Sequence, residues 1–337
     1  MAALPNTRLT LADMLKYLDP KGRGAPVVEL LAQRGMKEIQ GYLGLQPGNL
    51  PTGHQFSVRT ALPTAYLRDY NDGVTPSKSA TAQLTEGMSI IESWSEVDCA
   101  EAKLNGQEAF YRASEGAAFI EAMWQKYVQL FMYGNAKSDS KEFNGLATRF
   151  SSLASGNVID CGGAAGTTNT SIYLVNFGED FFGIYPLGSE GGLQNVDHGR
   201  QIIQFSNGNR MAAYVSQYVM NAGLVLRDWR RIVRIANINV AELRARTGTQ
   251  GVSTATNIIY AMSDATQLVP DGMGTRAFLC NRTVIACLMK IGLDKSQQVV
   301  TIEQGLTQFG KPFQQVSFLG IPLIPVDRML NTEAKIV

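Results

Sequence analysis

The chain has 337 residues, 45% hydrophobic and 18% charged, with 33 glycines and a formal net charge of +1. The length allows more than one core, and 30 Lys and Arg against 29 Asp and Glu exclude the cationic excess that sequence-blind binding to nucleic acid or an anionic membrane requires. Charged residues well below the roughly 25% usual in soluble domains leave a surface suited to being covered by other protein.

Cys99, Cys161, Cys280 and Cys287 form no C-x-x-C pair, and the two histidines, His54 and His198, stand far apart, which argues against structural zinc. The opening residues lack the basic and apolar regions of a signal peptide, and no run of about 20 apolar residues occurs. A cytosolic product with reduced thiols and no membrane contact is expected.

In chain order, residues 1–52 combine short apolar pieces with breakers. Leu9, Leu11, Met14, Leu15 and Leu18 predict one short helix, and Val27 to Leu43 a second, separated by a Pro- and Gly-rich stretch. Neither piece can build a domain, so the segment reads as an arm that lies on something else. Its Lys16, Lys21, Arg23, Arg34 and Lys37 give a mild positive bias that fits either a solvated face or one turned to nucleic acid.

From Gln55 the period changes to two, and Phe56, Val58, Thr60 and Leu62 alternate with Gln55, Ser57, Arg59 and Ala61. The polar stretch around Asp72-Gly73 is a turn signal, and a second extended run continues to about Glu101. A long β-hairpin is expected. It either lies on a neighbouring subunit, since isolated ribbons are marginal in water, or folds down onto its own domain.

Residues 107–133 predict a long helix with Phe110, Ala113, Ala117, Ile120, Trp124, Tyr127, Val128 and Phe131 on one face, roughly 40 Å long at 1.5 Å per residue. One apolar stripe places it across a sheet, and Gly134-Asn135 end it. Residues 138–238 are strand-rich: Ile172–Val175, Phe181–Tyr185, and a second hairpin of Gln201–Phe205 with Met211–Leu226, although Met211–Met220 also fits helical spacing. Helices follow over 239–246, 253–268 and 281–291, then extended pieces at 316–319 and 321–326 and a polar tail.

Candidate chemistry is sparse. Asp160–Thr168 is rich in glycine but lacks the Gly-Lys-Ser/Thr ending and leads into a strand, which favours a plain inter-strand loop over a phosphate cradle. A nucleophile with a histidine base could in principle use Cys161 and His198, and a structural thiol with a loop histidine is the better reading. No metal or cofactor site is expected. The dense basic cluster is Arg227, Arg230, Arg231 and Arg234. On one strand it would divide, Arg230 and Arg234 on one face and Arg227 and Arg231 on the other, so inter-subunit ion pairs are expected, with Asp228 as a local partner.

An arm, a long hairpin, a spine helix, a strand-rich section and a mixed C-terminal region, in that order, resemble the major capsid proteins of tailed bacteriophages with the HK97-type fold. The resemblance spans nearly the whole chain and is carried by Lys141–Leu146, Ser171–Val175, Gly183–Gly188, Gly223–Asn237, Ala277–Thr283 and Phe318–Val326. It implies an α+β fold with an N-terminal arm at 1–52, an extended loop at 53–103, a peripheral domain with the spine helix at 104–150, a strand-rich peripheral section with a β-rich insertion at 151–238, an axial domain at 239–320, and a return strand and tail at 321–337.

It also implies a non-enzymatic shell subunit that assembles with copies of itself through pentamers and hexamers around double-stranded DNA. Such a subunit belongs to the virion and is assembled in the host cytoplasm, with portal, scaffolding or decoration proteins as further partners. An encapsulin-like compartment enclosing an enzyme cargo shares the fold and is the alternative. Candidate inter-subunit contacts are Arg68, Asp69, Asp72 and Lys78 at the hairpin tip, with Arg227, Arg230, Arg231 and Arg234. Lys78 is the sole lysine of that tip and no partner Asn or promoting acid is matched, so non-covalent assembly is expected.

Overall fold

The computed structural model describes residues 33, 39 and 41–337, apart from 104–107, 164, 206–207, 246–253, 271, 273, 294–299 and 307–311. The helix expected over Leu9–Leu18 lies outside the described residues, as does most of the one expected over Val27–Leu43, of which Ile39 and 41–42 are seen as helix. The strands form two sheets with a long helix between them.

In the first sheet, β1 (Leu45–Pro47) pairs in parallel with β6 (Phe181–Tyr185), and β2 (Gly53–Ala61) pairs antiparallel with β3 (Ala80–Asp98). β3 has two partners along its 19 residues. From Ala80 to Gly87 it faces β2, and from Met88 to Asp98 it faces β8 (Arg210–Leu226). β8 also pairs with β6 and, over its first twelve residues, with β7 (Gly192–Gln204). The alternative helix at Met211–Met220 is therefore a strand, whose alternation is matched by partners on both sides.

Two one-turn helices, α1 (Cys99–Ala102) and α3 (Leu146–Arg149), flank α2 (Glu108–Tyr133), the long helix expected from the periodicity. α2 crosses the first sheet. Phe119 stacks on Tyr218 of β8 with ring centroids 5.8 Å apart, and a Cβ at Gly116 would come within 2.5 Å of the Tyr218 hydroxyl. Arg112 pairs with Asp197 of β7 at 2.6 Å. The expected stripe is shifted in the first turns, where Tyr111, Gly116 and Met123 are buried and Ala113 and Ala117 are exposed, and it widens at the last, where consecutive Leu130, Phe131 and Met132 are all buried because that end is enclosed between the sheets.

The second sheet has the order β11 (Val300–Leu306), β12 (Pro312–Phe318), β13 (Ile321–Pro325), β10 (Thr275–Cys280), β5 (Asn169–Phe177), β9 (Ile232–Asn239) and β4 (Val158–Asp160). All nine residues of β5 and all eight of β9 are buried. Period-two alternation explains how: Ile172, Leu174, Val233, Ile235, Phe278 and Cys280 enter one core, and Tyr173, Val175, Ile232, Ala236, Ala277 and Leu279 the other. The first of these cores is closed by α4 (Val240–Ala245), α5 (Thr254–Leu268) and α6 (Arg282–Leu293), near their expected positions. The second is closed by α2. Residues 151–238 are thus shared between the sheets, with β4, β5 and β9 in one and β6, β7 and β8 in the other.

Candidate assembly surface

Beyond Gly53 and Gly87 the strands β2 and β3 leave the body as a two-stranded ribbon, about 30 Å long at roughly 3.4 Å per residue. Residues 57–90 are mostly exposed on both ribbon faces. The loop joining the strands, residues 62–79, carries Leu62, Tyr66, Leu67, Tyr70 and Val74 in the open, with Leu67 104% and Tyr70 94% exposed. Apolar side chains presented so fully at the end of a protrusion make the tip a candidate interaction surface.

Local polar contacts shape the tip. Tyr70 N donates to Asp69 Oδ1 at 2.8 Å, Gly73 N to Asp72 Oδ1 at 2.7 Å, and Ser77 Oγ to Thr64 O at 3.0 Å. Asn71 takes φ +60°, which a short amide side chain tolerates. Arg68, Asp69, Asp72 and Lys78 are all exposed, and none forms an ion pair with a described residue.

The arginine cluster is arranged differently from the strand expected. Trp229–Arg231 is a 3₁₀ turn between β8 and β9, capped by Asp228, whose Oδ1 accepts from Arg230 N at 3.1 Å. Arg230 forks onto Asp228 with both contacts at 2.9 Å, in accord with the local partner expected. Arg231 reaches Asp180 at 2.7 Å. Arg227 donates to His54 Nε2 at 3.2 Å and lies 4.9 Å over the ring of Phe182. Arg230, Arg231 and Arg234 are therefore engaged inside the chain, and the split over two strand faces does not occur because the turn breaks the alternation.

Arg234 points inward. Its side chain and that of Glu333 are 5% and 7% exposed and pair at 2.9 Å. The guanidinium also donates to Ser171 Oγ at 3.1 Å and Phe150 O at 2.8 Å, and sits 5.3 Å from the Tyr173 ring centroid. Glu333 in turn accepts from Tyr133 Oη at 2.6 Å, and burial together with that carboxylate raises the Tyr133 phenol well above its ordinary value. This network fastens the C-terminal segment to β5, β9 and the end of α2. Glu333 went unnoticed in the sequence because it stands 99 residues from Arg234 in a tail with no periodicity.

Catalytic readings find no support in the geometry. Cys161 follows β4 in the second sheet, whereas His198 lies in β7 of the first, stacked on Trp94 at 5.3 Å and bonded to Gln217 at 3.0 Å. Burial, with Asp160 adjoining, pushes the Cys161 thiol up to about 12, so the reactive thiolate is scarce. Within the Gly-rich loop, Asp160 accepts from Gly162 N at 2.9 Å and Asn237 Nδ2 at 2.8 Å, internal contacts of an inter-strand loop. Among the described residues no group of His, Cys, Asp and Glu could hold a metal ion, and no helix is long and apolar enough to cross a membrane.

The family model described as major capsid protein GP7 matches residues 19–337. The chain belongs to this family of major capsid proteins. Its structure is similar to a chain of the bacteriophage Epsilon15 structure, with a TM-score of 0.79, 28% identity, and coverage of 100% of this chain and 99% of that one. The fold is accordingly the HK97-like α+β capsid fold, and the subunit is a tailed-phage shell protein whose partners include copies of itself.

More distant similarities are to the bacteriophage JBD30 capsid, at TM-score 0.49 and 11% identity over 89% of this chain and 93% of that one, and to the SrpI encapsulin of Synechococcus elongatus PCC 7942, at 0.44 and 12% over 68% and 97%. The encapsulin likeness is too slight to support the cargo-compartment alternative. No curated protein sequence matches the chain.

Proposed function

We propose that this capsid subunit closes into an icosahedral shell of pentamers and hexamers around double-stranded DNA, with the β2–β3 ribbon and the N-terminal arm lying over neighbouring subunits. The observation that carries the proposal is the exposed ribbon tip, where Leu62, Leu67 and Tyr70 have no cover among the described residues. Burying them on a neighbour supplies roughly 25 cal/mol per Å² of apolar surface, and a closed shell repeats the contact many times, so modest pairwise terms suffice.

In this reading residues 1–52 are the arm and 53–103 the extended loop, with α2 and strands β6, β7 and β8 forming the peripheral part. The second sheet, with α4, α5 and α6, forms the axial part. The exposed charges of Arg68, Asp69, Asp72 and Lys78 rim the apolar tip and steer its docking. The near-neutral net charge suits a wall that encloses DNA without gripping it. The subunit has no catalytic role, is assembled in the host cytoplasm, and meets portal, scaffolding or decoration proteins as further partners.

Electron microscopy of the purified protein tests the proposal. Closed shells containing nucleic acid are expected; discrete monomers under all assembly conditions, or shells filled by a protein cargo, would overturn it. Boiled in detergent, the shells should run as single chains of 36.7 kDa, since assembly is non-covalent; a ladder of higher bands would contradict that part.

A further inference from the structure

The ribbon joins the body where Gly53 and Gly87 stand opposite each other and His54 stands opposite Glu86. Two arginines from the body reach this root. Arg149 of α3 grips Glu86 with both terminal nitrogens, Nη2 lying 2.8 Å from Oε2, and Nη2 also donates to Leu224 O at 3.1 Å. This pair is largely buried, with side chains 13% and 12% exposed.

The second, Arg227 at the end of β8, donates from Nη2 to His54 Nε2 at 3.2 Å. His54 is buried, meets Phe182 of β6 edge-on at 5.7 Å and lies against Phe56 at 6.4 Å. Its Nδ1 is also buried and has no hydrogen-bond partner among the described residues.

An imidazole that accepts at Nε2 is neutral, with its proton on Nδ1. A second proton, placed on Nε2, removes the acceptor and sets imidazolium against guanidinium. Among the described residues no carboxylate pairs with His54 to offset that repulsion: the acid opposite, Glu86, has both oxygens on Arg149. We propose that His54 and Arg227 are positioning residues that hold the root of the ribbon at a set angle to the body, and that protonating His54 releases this hold while the Glu86–Arg149 pair remains.

Burial, and then the Arg227 charge, keep His54 below its ordinary value of 6.5. In the released root the ring regains that ordinary value, so the released form binds the proton more readily. The hold is therefore complete above the ordinary value and is lost as pH falls through it towards the depressed one. The other histidine, His198, lies on β7 against Trp94 and takes no part. The inference depends on the assembly reading for its consequence alone, namely whether a tilted ribbon still reaches a neighbour; the hold itself belongs to one chain.

The test is hydrogen exchange of full-length unassembled subunits between about pH 7.5 and about pH 5.5, corrected for the intrinsic rate. Amides of the paired residues 54–60 and 81–87 should exchange severalfold faster at the lower pH when measured against those of β5. His54→Gln, which keeps a neutral acceptor facing Arg227, should abolish the pH response, and His198→Gln should retain it. Arg227→Gln removes the opposing cation and should flatten it. A pH-independent root in the unsubstituted chain, or an undiminished response in His54→Gln or Arg227→Gln, would overturn the proposal. A root that responds as described in subunits that never form shells supports the hold and defeats the assembly reading instead.

Discussion

The second sheet and the β2–β3 ribbon are built from similar residues and meet opposite fates. Ile172, Tyr173, Leu174 and Val175 of β5 are fully buried because helices cover one face and α2 with the first sheet covers the other. Leu62, Leu67, Leu84 and Ile90, on or near the ribbon, are 77%, 104%, 48% and 71% exposed. Burying a Leu or Ile side chain is worth about 1.5–3 kcal/mol, so the sheet accounts for stability within one chain, whereas the exposed apolar residues of the ribbon contribute little of it. On the proposed assembly role of the ribbon, the part that folds is separate from the part that assembles, and substitutions should report that separation.

The largest effect on the isolated subunit is expected at the buried ion pair. Arg234→Ala leaves the Glu333 carboxylate 7% exposed and without its cation, a loss on the order of 3–5 kcal/mol, and frees the C-terminal segment. Denaturant unfolding measures it, and a loss below about 1 kcal/mol would mean that the pair behaves as a surface bridge. Replacing both partners together by apolar residues of similar size should cost less than either single change, because neither charge is then stranded.

The next effect compares one chemical change in two places. Leu174→Ala removes a side chain of zero exposure and should cost about 2–5 kcal/mol; Leu84→Ala, on the ribbon, should stay within about 0.5 kcal/mol. Equal losses at the two sites would show that the ribbon is covered within its own chain, the folded-down hairpin.

How far these regions were legible in the sequence depended on how local their causes were. α2 is specified by a 3.6-residue period and a terminal Gly134, whose added Cβ would meet Phe143 O at 2.3 Å, and it spans nearly the residues expected. The ribbon was legible from alternation and Asp72-Gly73. The division of residues 151–238 between two sheets was not, because Ile172–Val175 and Phe181–Tyr185 carry the same β propensity and the switch between sheets lies in a few residues at Gly178–Asp180. The arginine cluster misled for the same reason: whether Arg234 faces in or out is decided by Glu333 and Ser171, far along the chain, and by a 3₁₀ turn that Asp228 caps.

A smaller effect on stability, with a large one on association, is expected at the tip. Leu67→Ser combined with Tyr70→Ser removes two nearly fully exposed side chains and should shift unfolding by no more than about 0.5 kcal/mol per site. Shell formation, followed by sedimentation or light scattering, should fail. Normal shells from this variant would move the assembly contact elsewhere; a destabilised monomer would place these side chains inside a fold.

The smallest effect concerns how far the covered region extends towards its edge. Cys161 immediately follows β4, the last strand of the second sheet, and its amide donates to Ala236 O of β9 at 3.0 Å. With the thiol pushed up to about 12, the thiolate fraction at about pH 8 is on the order of one in ten thousand, against about one in ten for an unperturbed group at 9.0. Alkylation at that pH should therefore be slow in the native subunit and become fast only on unfolding. Rapid native alkylation of Cys161 would mean that β4 frays from β9 and exposes the thiol, and the covered region would then end at β9 rather than at β4. Because β4 contributes only the three residue pairs Val158↔Arg234, Ile159↔Ile235 and Asp160↔Ala236, and the first of these carries the buried Arg234, the same measurement on Arg234→Ala asks whether losing the ion pair loosens the edge strand. Faster alkylation in that variant than in the parent is the expected outcome.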